Sequence, residues 1–330
     1  MKSRAQADMT AAVFALVAVL CWCTVPLFIK YFTAFFDKYT QNALRYSVAA
    51  IFWLPALIVL IRAGKVGRSV WIAAIFPAVV NTVAQTTWSW SLYYIDPAIV
   101  GFISQLNAIW ANVLAMYFFR DERSLLRQPA FWIGTIFSTS GFLMMVAGHP
   151  NLWAWDTIIG IAIMTAGSLP WGLYPVSVRL NVSQYPPIAA FAVIALYTAL
   201  ACDLLTFVAY DPLREVMGSP LSQVGAASWQ VLGWVVLSAI LGIGVAHVLY
   251  YSAINRLGVA VTAGILLTTP FATALLAILL RNEHMRPVQW LGGIGLVAGT
   301  GLLLYAKQRL TATAARRPRP PVPVEQQDGR

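Results

Sequence analysis

Charge is scarce in this chain, and acidic charge scarcest of all. Only 10% of the 330 residues are charged, with 12 Asp and Glu against 22 Lys and Arg, whereas soluble domains carry roughly 25%. That composition excludes an ordinary soluble fold. The acids fall in loops, tails or the ends of apolar segments, apart from Asp203 toward one end of the seventh segment, so no paired carboxylates stand ready for acid–base chemistry. Cysteine is scarce as well: Cys21, Cys23 and Cys202 sit inside apolar segments, without the spacing of a zinc site or of a disulfide framework. They read as small packing residues. No nucleophile is matched to a base and no glycine loop is shaped for a phosphate, so neither an enzyme, a metal nor a cofactor is expected. The net charge of +10 is scattered over short loops and the C-terminal tail, as membrane orientation demands, and no nucleic-acid partner is expected.

What fills the chain instead is apolar: 59% of the residues are hydrophobic. A bilayer core of ~30 Å takes about 20 helical residues, and ten segments of that size can be drawn: 9–29, 41–61, 70–94, 97–119, 130–148, 157–178, 188–209, 229–252, 259–280 and 288–306. The fold class expected is an all-α polytopic membrane protein with the lipid bilayer as its surroundings. The first segment has no small-residue cleavage site after it and reads as a retained span, not a signal peptide. Asp96-Pro97 and the stretch 255–258 leave room only for tight antiparallel pairs. With the N-terminus inside, 16 cations fall on the inner side and 6 on the outer, Arg45 counted among the six. The positive-inside rule then places both termini in the cytoplasm. Residues 307–330, with Arg316, Arg317, Arg319 and a PRPPVPV run, read as a basic, Pro-rich cytoplasmic tail that cannot form a packed core.

The chain also repeats itself. Residues 88–122 match 249–283 at an offset of 161, with seven of 35 pairs identical, among them Ser91 with Ser252, Arg120 with Arg281 and Glu122 with Glu283. The charged closures at 120–123 and 281–284 read as stop signals. Earlier in each half the offset is 149, which places Trp22 on Trp171, Pro26 on Pro175 and Lys30 on Arg179. Five spans per copy is an odd number, so residues 149–306 must enter the membrane upside down relative to residues 1–148. Two five-helix, inverted-topology repeats result, and in such chains the substrate site lies near the midplane where the copies meet.

The W-x-x-x-P pieces in spans one and six, the TQNALRYSVAA opening of span two, the short break between spans three and four, and the apolar run closing on Arg-Asp-Glu-Arg together resemble the drug/metabolite transporter superfamily in its EamA-type ten-span branch. The resemblance covers about residues 9–306. Within the branch, the density of Trp and Tyr in the spans is most similar to bacterial aromatic amino-acid exporters of the YddG type. It implies a transporter of the bacterial inner membrane.

Candidate site residues follow from polarity inside the spans. Asn81, Gln85 and Trp88 share one helical face, and buried amides need partners, whether solute, water or a neighbouring helix. Ser104 and Asn107 share a face in span four with Trp110 beside them; the counterpart in span nine offers Thr268, with Phe271 in the place of Trp110. Pro270 removes a backbone donor in mid-helix, and Pro26, Pro175 and Pro270 are candidate hinges, a packing kink being the alternative for Pro26 and Pro175. Trp71, Trp132, Trp153, Trp155, Trp229 and Trp290 lie at span ends, as interfacial tryptophans do. Trp22, Trp88, Trp110 and Trp171 lie well inside spans, where an indole N–H needs a partner, and are candidates for cavity walls or gates. His247, one turn from Tyr250 and Tyr251, is the single deep ionisable group expected to face the cavity; it is either a structural hydrogen-bonding residue or a proton switch. Gly134, Gly141, Ser138, Gly292, Gly295, Gly299 and Gly301 are expected to pack span five on span ten. The substrate-binding set is therefore Trp22, Asn81, Gln85, Trp88, Ser104, Asn107, Trp110, Trp171, His247, Tyr250 and Thr268, in a cavity lined by spans one, three, four, six, eight and nine. The expected activity is export of small neutral amino acids, largely aromatic or apolar, by alternating access from a monomer. The alternatives are a proton-coupled multidrug exporter of the same fold, which would need a cavity carboxylate, and a membrane enzyme acting on lipid, which would need catalytic groups at an interface.

Overall fold

The computed structural model describes residues 2–120, 123, 127–147, 154–266, 268–281 and 286–316. Trp153, the stop signals at 121–122 and 282–284, and the tail cations Arg317 and Arg319 lie outside the described residues. In chain order the helices are α1 (Lys2–Trp22), α2 (Val25–Phe32), α3 (Lys38–Arg62), α4 (Arg68–Ser91), α5 (Pro97–Ile103), α6 (Gln105–Phe118), α7 (Pro129–Ala147), α8 (Trp155–Asn181), α9 (Pro187–Val208), α10 (Arg214–Met217), α11 (Pro220–Ala226), α12 (Trp229–Ser238), α13 (Ala246–Leu257), α14 (Val259–Leu266), α15 (Thr269–Arg281) and α16 (Pro287–Arg316). A π-helical turn, Ala239–Val245, joins α12 to α13. No strand occurs among the described residues. Eight stretches there are long and apolar enough to cross a membrane, from Met9–Phe32 to Val261–Leu280. The long helices α7 and α16 complete ten passes in the expected order. The tail expected from residue 307 is instead helical as far as Arg316; its residues are good helix formers, and Pro318 is the first that forbids continuation.

Three passes are broken, each repaired in the same way. Pro26 cannot donate to the Trp22 carbonyl, and the helix parts between α1 and α2, where Thr24 Oγ1 donates to the Cys21 carbonyl at 2.7 Å. Between α5 and α6, Ser104 Oγ donates to the Gly101 carbonyl at 2.5 Å. Ahead of Pro270, between α14 and α15, Thr268 Oγ1 donates to the Ile265 carbonyl at 2.7 Å. A hydroxyl at each break thus supplies a bond that lipid cannot. Pro175 behaves otherwise: α8 runs unbroken from Trp155 through both Pro170 and Pro175, so no hinge is found there. The glycines of α8 pack closely on neighbouring helices and turns. Gly160 lies against Ile95 and Tyr94, Gly167 against Thr87, and Gly172 against Trp110, Ala111 and Asn107.

Packing joins the two halves crosswise. Helix α3 lies on α9, α4 on α8, α1 on α13, and α7 on α16. The broken passes cross, with α5 against α15 and α6 against α14, so the first half of one meets the second half of the other, and Gly101 rests on Pro270 at the crossing. At the α7–α16 seam, Gly299 packs on Gly134 and Ser138, and Gly295 on Gly141. Gly301 was expected in this seam, but nothing lies within 4 Å of where its side chain would be.

One end of the bundle is clasped shut by charge. Asp37 caps α3 and is fully buried. Its carboxylate accepts six hydrogen bonds, from the Tyr39 and Thr40 amides, Thr40 Oγ1, Arg214 Nε and Nη2, and Gln223 Nε2. Lys38 Nζ meets Asp211 Oδ2 at 2.8 Å beside it. Burial alone would raise the Asp37 carboxyl, but the bonds from Arg214 and Thr40 and the guanidinium charge hold it below the usual carboxylate range. Tyr93, which donates to the Phe36 carbonyl at 2.6 Å, is pushed well above its usual range by burial and by the nearby Asp37 charge. At the same end Lys30 donates to the Leu92 and Ile95 carbonyls at 3.1 and 3.3 Å, with Asp96 at 3.7 Å.

Candidate functional site

Between the crossed passes lies a cavity that, with its open mouth included, encloses about 700 Å³. Its walls are Trp22 of α1, Trp88 of α4, Ser104, the α6 residues Asn107, Ala108 and Ala111, Trp171 and Pro175 of α8, Tyr250 of α13, Ala263 and Leu266 of α14, and Thr269 of α15. These come from the first, third, fourth, sixth, eighth and ninth passes. Two of the three breaks, at Ser104 and ahead of Thr269, open onto it. Discontinuous helices facing each other near mid-membrane are a recurring way to present polar groups to a transported solute.

Aromatic side chains give the walls their shape. Trp88 and Trp171 meet edge to face, with centroids 5.4 Å apart at 79°, and Trp22 meets Tyr250 at 5.0 Å and 70°. The close approach of α8 to α6 depends on Gly172, where an added Cβ would strike Trp110 Cβ and come within 2.8 Å of the Ala111 amide. Trp22 is fastened by its Nε1, which donates to the Gly242 carbonyl at 2.7 Å. That carbonyl belongs to the π-helical turn, an element often found at functional positions.

Four polar atoms in this wall are buried without a protein partner: Trp88 Nε1, Trp171 Nε1, Asn107 Oδ1 and Thr269 Oγ1. Leaving such a group unmade costs about 1–3 kcal/mol, and four of them gather on this one wall. Two are N–H donors, one is a carbonyl acceptor and one is a hydroxyl that does both. Among the described residues, no charged side chain lines the cavity.

Six of the eleven residues expected to touch solute line this cavity: Trp22, Trp88, Ser104, Asn107, Trp171 and Tyr250. The other five lie elsewhere. Asn81 donates to Tyr46 Oη at 3.0 Å and Thr198 Oγ1 at 3.1 Å, knitting α3, α4 and α9 together, and Gln85, on the same turn and 3% exposed, stays behind the wall with it. Their shared face with Trp88 is real, but the wall takes only its last member. Trp110 is not part of the cavity wall and is 40% exposed; its Cβ lies where α8 comes closest to α6, at Gly172. Thr268 spends its hydroxyl on the helix break, and its neighbour Thr269 takes the wall position. His247 sits behind Trp22, ring to ring at 5.1 Å, stacked on Phe191 at 5.0 Å, with Nδ1 2.9 Å from the Ile243 carbonyl. Of the tryptophans expected at span ends, Trp132, Trp155, Trp229 and Trp290 are exposed, and Trp71 is half-buried against Tyr197. The cysteines are free and packed, Cys23 and Cys202 buried.

Residues 9–147 and 158–305 each match the profile of the EamA-like transporter family. The chain is a member of the EamA-like transporter family. Being a two-copy member, it is a multi-pass membrane protein with a general role in moving solutes. A solved structure described only as "Crystal structure of protein" shares the fold, with a TM-score of 0.66 over 92% of this chain and 99% of its own at 16% identity. No curated protein matches the sequence.

Proposed function

We propose that this protein is a secondary transporter for small neutral solutes that carry both a hydrogen-bond donor and an acceptor on an apolar or aromatic body, with aromatic and apolar amino acids the leading class. The set of four unpartnered polar atoms in an otherwise aromatic, uncharged cavity carries the reading. A carboxylate oxygen suits the Trp88 and Trp171 N–H groups, an ammonium suits Asn107 Oδ1, and Thr269 serves either. The side chain then rests on the rings of Trp22, Trp88, Trp171 and Tyr250. Two copies of odd span number support inverted topology, and the crossed pairing of α5–α6 with α14–α15 supports alternating access by rocking one copy against the other. Breaking the charge clasp opens one end while the other closes.

The excess of cations on one set of loops supports cytoplasmic termini, and the proposed role is export across a bacterial inner membrane by a monomer. The uncharged lining supports movement down the solute's own gradient, because exchange against protons needs a titrating acid in the path. Transport of a panel of amino acids and organic cations into proteoliposomes, with and without a pH gradient, tests the reading. Saturable flux of phenylalanine, tyrosine or leucine without a pH gradient is the expected result. Flux of cations alone, and only with a gradient, would overturn it in favour of a proton-coupled multidrug exporter.

A further inference from the structure

Arg45 lies seven residues into α3 and is 1% exposed. A guanidinium does not lose its proton in proteins, so the bundle holds a fixed positive charge inside a membrane span. Its Nε donates to Ser238 Oγ at 3.0 Å, and its Nη1 is buried without a partner. No carboxylate of the described residues pairs with it: Asp203, on the helix that packs against α3, is held by Ser47 at 3.3 Å to both oxygens. Burying a charge without a counter-charge costs several kcal/mol. An intramembrane ionisable side chain left in that state marks a functional site whose partner is to be found.

The surroundings say where the partner comes from. Arg45 Nη2 lies 3.8 Å from the place a Cβ would occupy on Gly242, and the Gly242 carbonyl is the acceptor of the Trp22 indole that walls the cavity. The guanidinium is therefore one residue behind the solute, with Trp22 as the partition. His247, packed edge to face on Trp22, adds a buried Nε2 with no partner, a second polar group that the closed partition leaves unused. Gly242 stands in the π-helical turn, where a wide turn can shift register and release a carbonyl.

We propose that Arg45, with Ser238 and the turn at Gly242, forms a subsite for a small monovalent anion, reached from the cavity when Trp22 lets go of the Gly242 carbonyl. The anion is either the carboxylate of the transported solute or a halide or acetate taken from solution. The first source rests on the reading of the cavity as an amino-acid site; the second does not. Melting of the purified protein in lipid nanodiscs, in acetate, chloride or sulfate at equal ionic strength, tests the subsite without transport. Acetate and chloride are expected to raise the wild-type Tm by about 2 °C or more over sulfate, to do the same for Arg45→Lys, and to have no such effect on Arg45→Gln. Equal responses in wild type and Arg45→Gln, or no response in wild type, overturn the subsite. Should Arg45→Gln not fold, Trp22→Phe decides: it keeps the ring, loses the bond to Gly242, and is expected to respond at lower acetate concentration, an unchanged midpoint counting against the proposal. Flux in proteoliposomes separates the sources. If the solute's carboxylate is the ligand, Arg45→Gln loses L-phenylalanine flux by at least about tenfold and keeps L-phenylalaninamide flux within about twofold. If a solution anion is the ligand, both fluxes fall in wild type when sulfate replaces chloride, and neither responds in Arg45→Gln. A wild type that carries neither probe overturns the solute class assigned to the cavity, and the melting experiment still decides the subsite.

Discussion

At the clasped end of the bundle one carboxylate, Asp37, takes six hydrogen bonds from a turn, a helix start and a distant loop. In the central cavity, two indole N–H groups, an amide oxygen and a hydroxyl have no protein partner. Both regions are polar islands in an apolar bundle, and both join the two copies. The difference lies in bonding: the Asp37 carboxylate is satisfied internally, whereas the four wall atoms are, on the function proposed above, completed by the solute. Asn81, tied to Tyr46 and Thr198, belongs with the clasp in this respect, although it sits two turns from Trp88 on the same helix.

The largest expected effect comes from breaking the clasp. Asp37→Ala leaves Arg214 and two amides of α3 unpaired, and a loss of about 3 kcal/mol in thermal unfolding is expected. The same pair gives a pH dependence. Because the folded carboxyl is held below its ordinary value, its contribution is complete above the unfolded pKa near 4 and is lost as pH falls through the lower folded value. Unfolding measured from pH 6 down to pH 3 is expected to lose stability in wild type below about pH 4, and less in Asp37→Asn. Next comes the wall itself. Gly172→Ala forces α8 away from the Ala111 amide and the Asn107 carbonyl, 2.8 and 2.9 Å from the new Cβ, and a cost of about 2 kcal/mol with a reshaped substrate range is expected.

Smaller effects sharpen the contrast. Trp88→Phe and Trp171→Phe keep an aromatic wall and delete one unused N–H each, so KM for a carboxylate solute should rise by about five- to tenfold while Tm holds. Asn81→Leu should do the reverse, lowering stability by about 0.6 kcal/mol, the usual worth of a hydrogen bond between membrane helices, with KM unchanged. Trp110→Phe, on the exposed side of α6, should change neither by more than about 0.5 kcal/mol.

The ten apolar passes and the double repeat were legible from composition and spacing, and the breaks at Pro26 and Pro270 from their prolines, because bilayer thickness and backbone chemistry leave few options; the break at Ser104 carries no proline, and Pro175 sits in an unbroken helix. Which side of a helix meets the cavity was not. Asn81, Gln85 and Trp88 share a face by period, yet Asn81 is bonded to α3 and α9, and only Trp88 reaches the wall. Trp110 resembled Trp88 in sequence, but it is not part of the wall. Thr268 and Thr269 are adjacent, and only the break tells which hydroxyl is consumed. Arg45 was counted among outer-side cations because it stands near a span end; its burial depends on Ser238 and Gly242, some two hundred residues away. Long-range packing, not local pattern, chose the site.

The most direct measurement is a pairing of phenylalanine KM in proteoliposomes with Tm for two proteins, the double variant Trp88→Phe/Trp171→Phe and the single variant Asn81→Leu. The expected result is a raised KM at constant Tm for the first, and a lowered Tm at constant KM for the second. Unchanged phenylalanine transport in the double variant, or a KM that moves with Asn81 instead, would contradict the assignment of the unpartnered wall atoms to the solute.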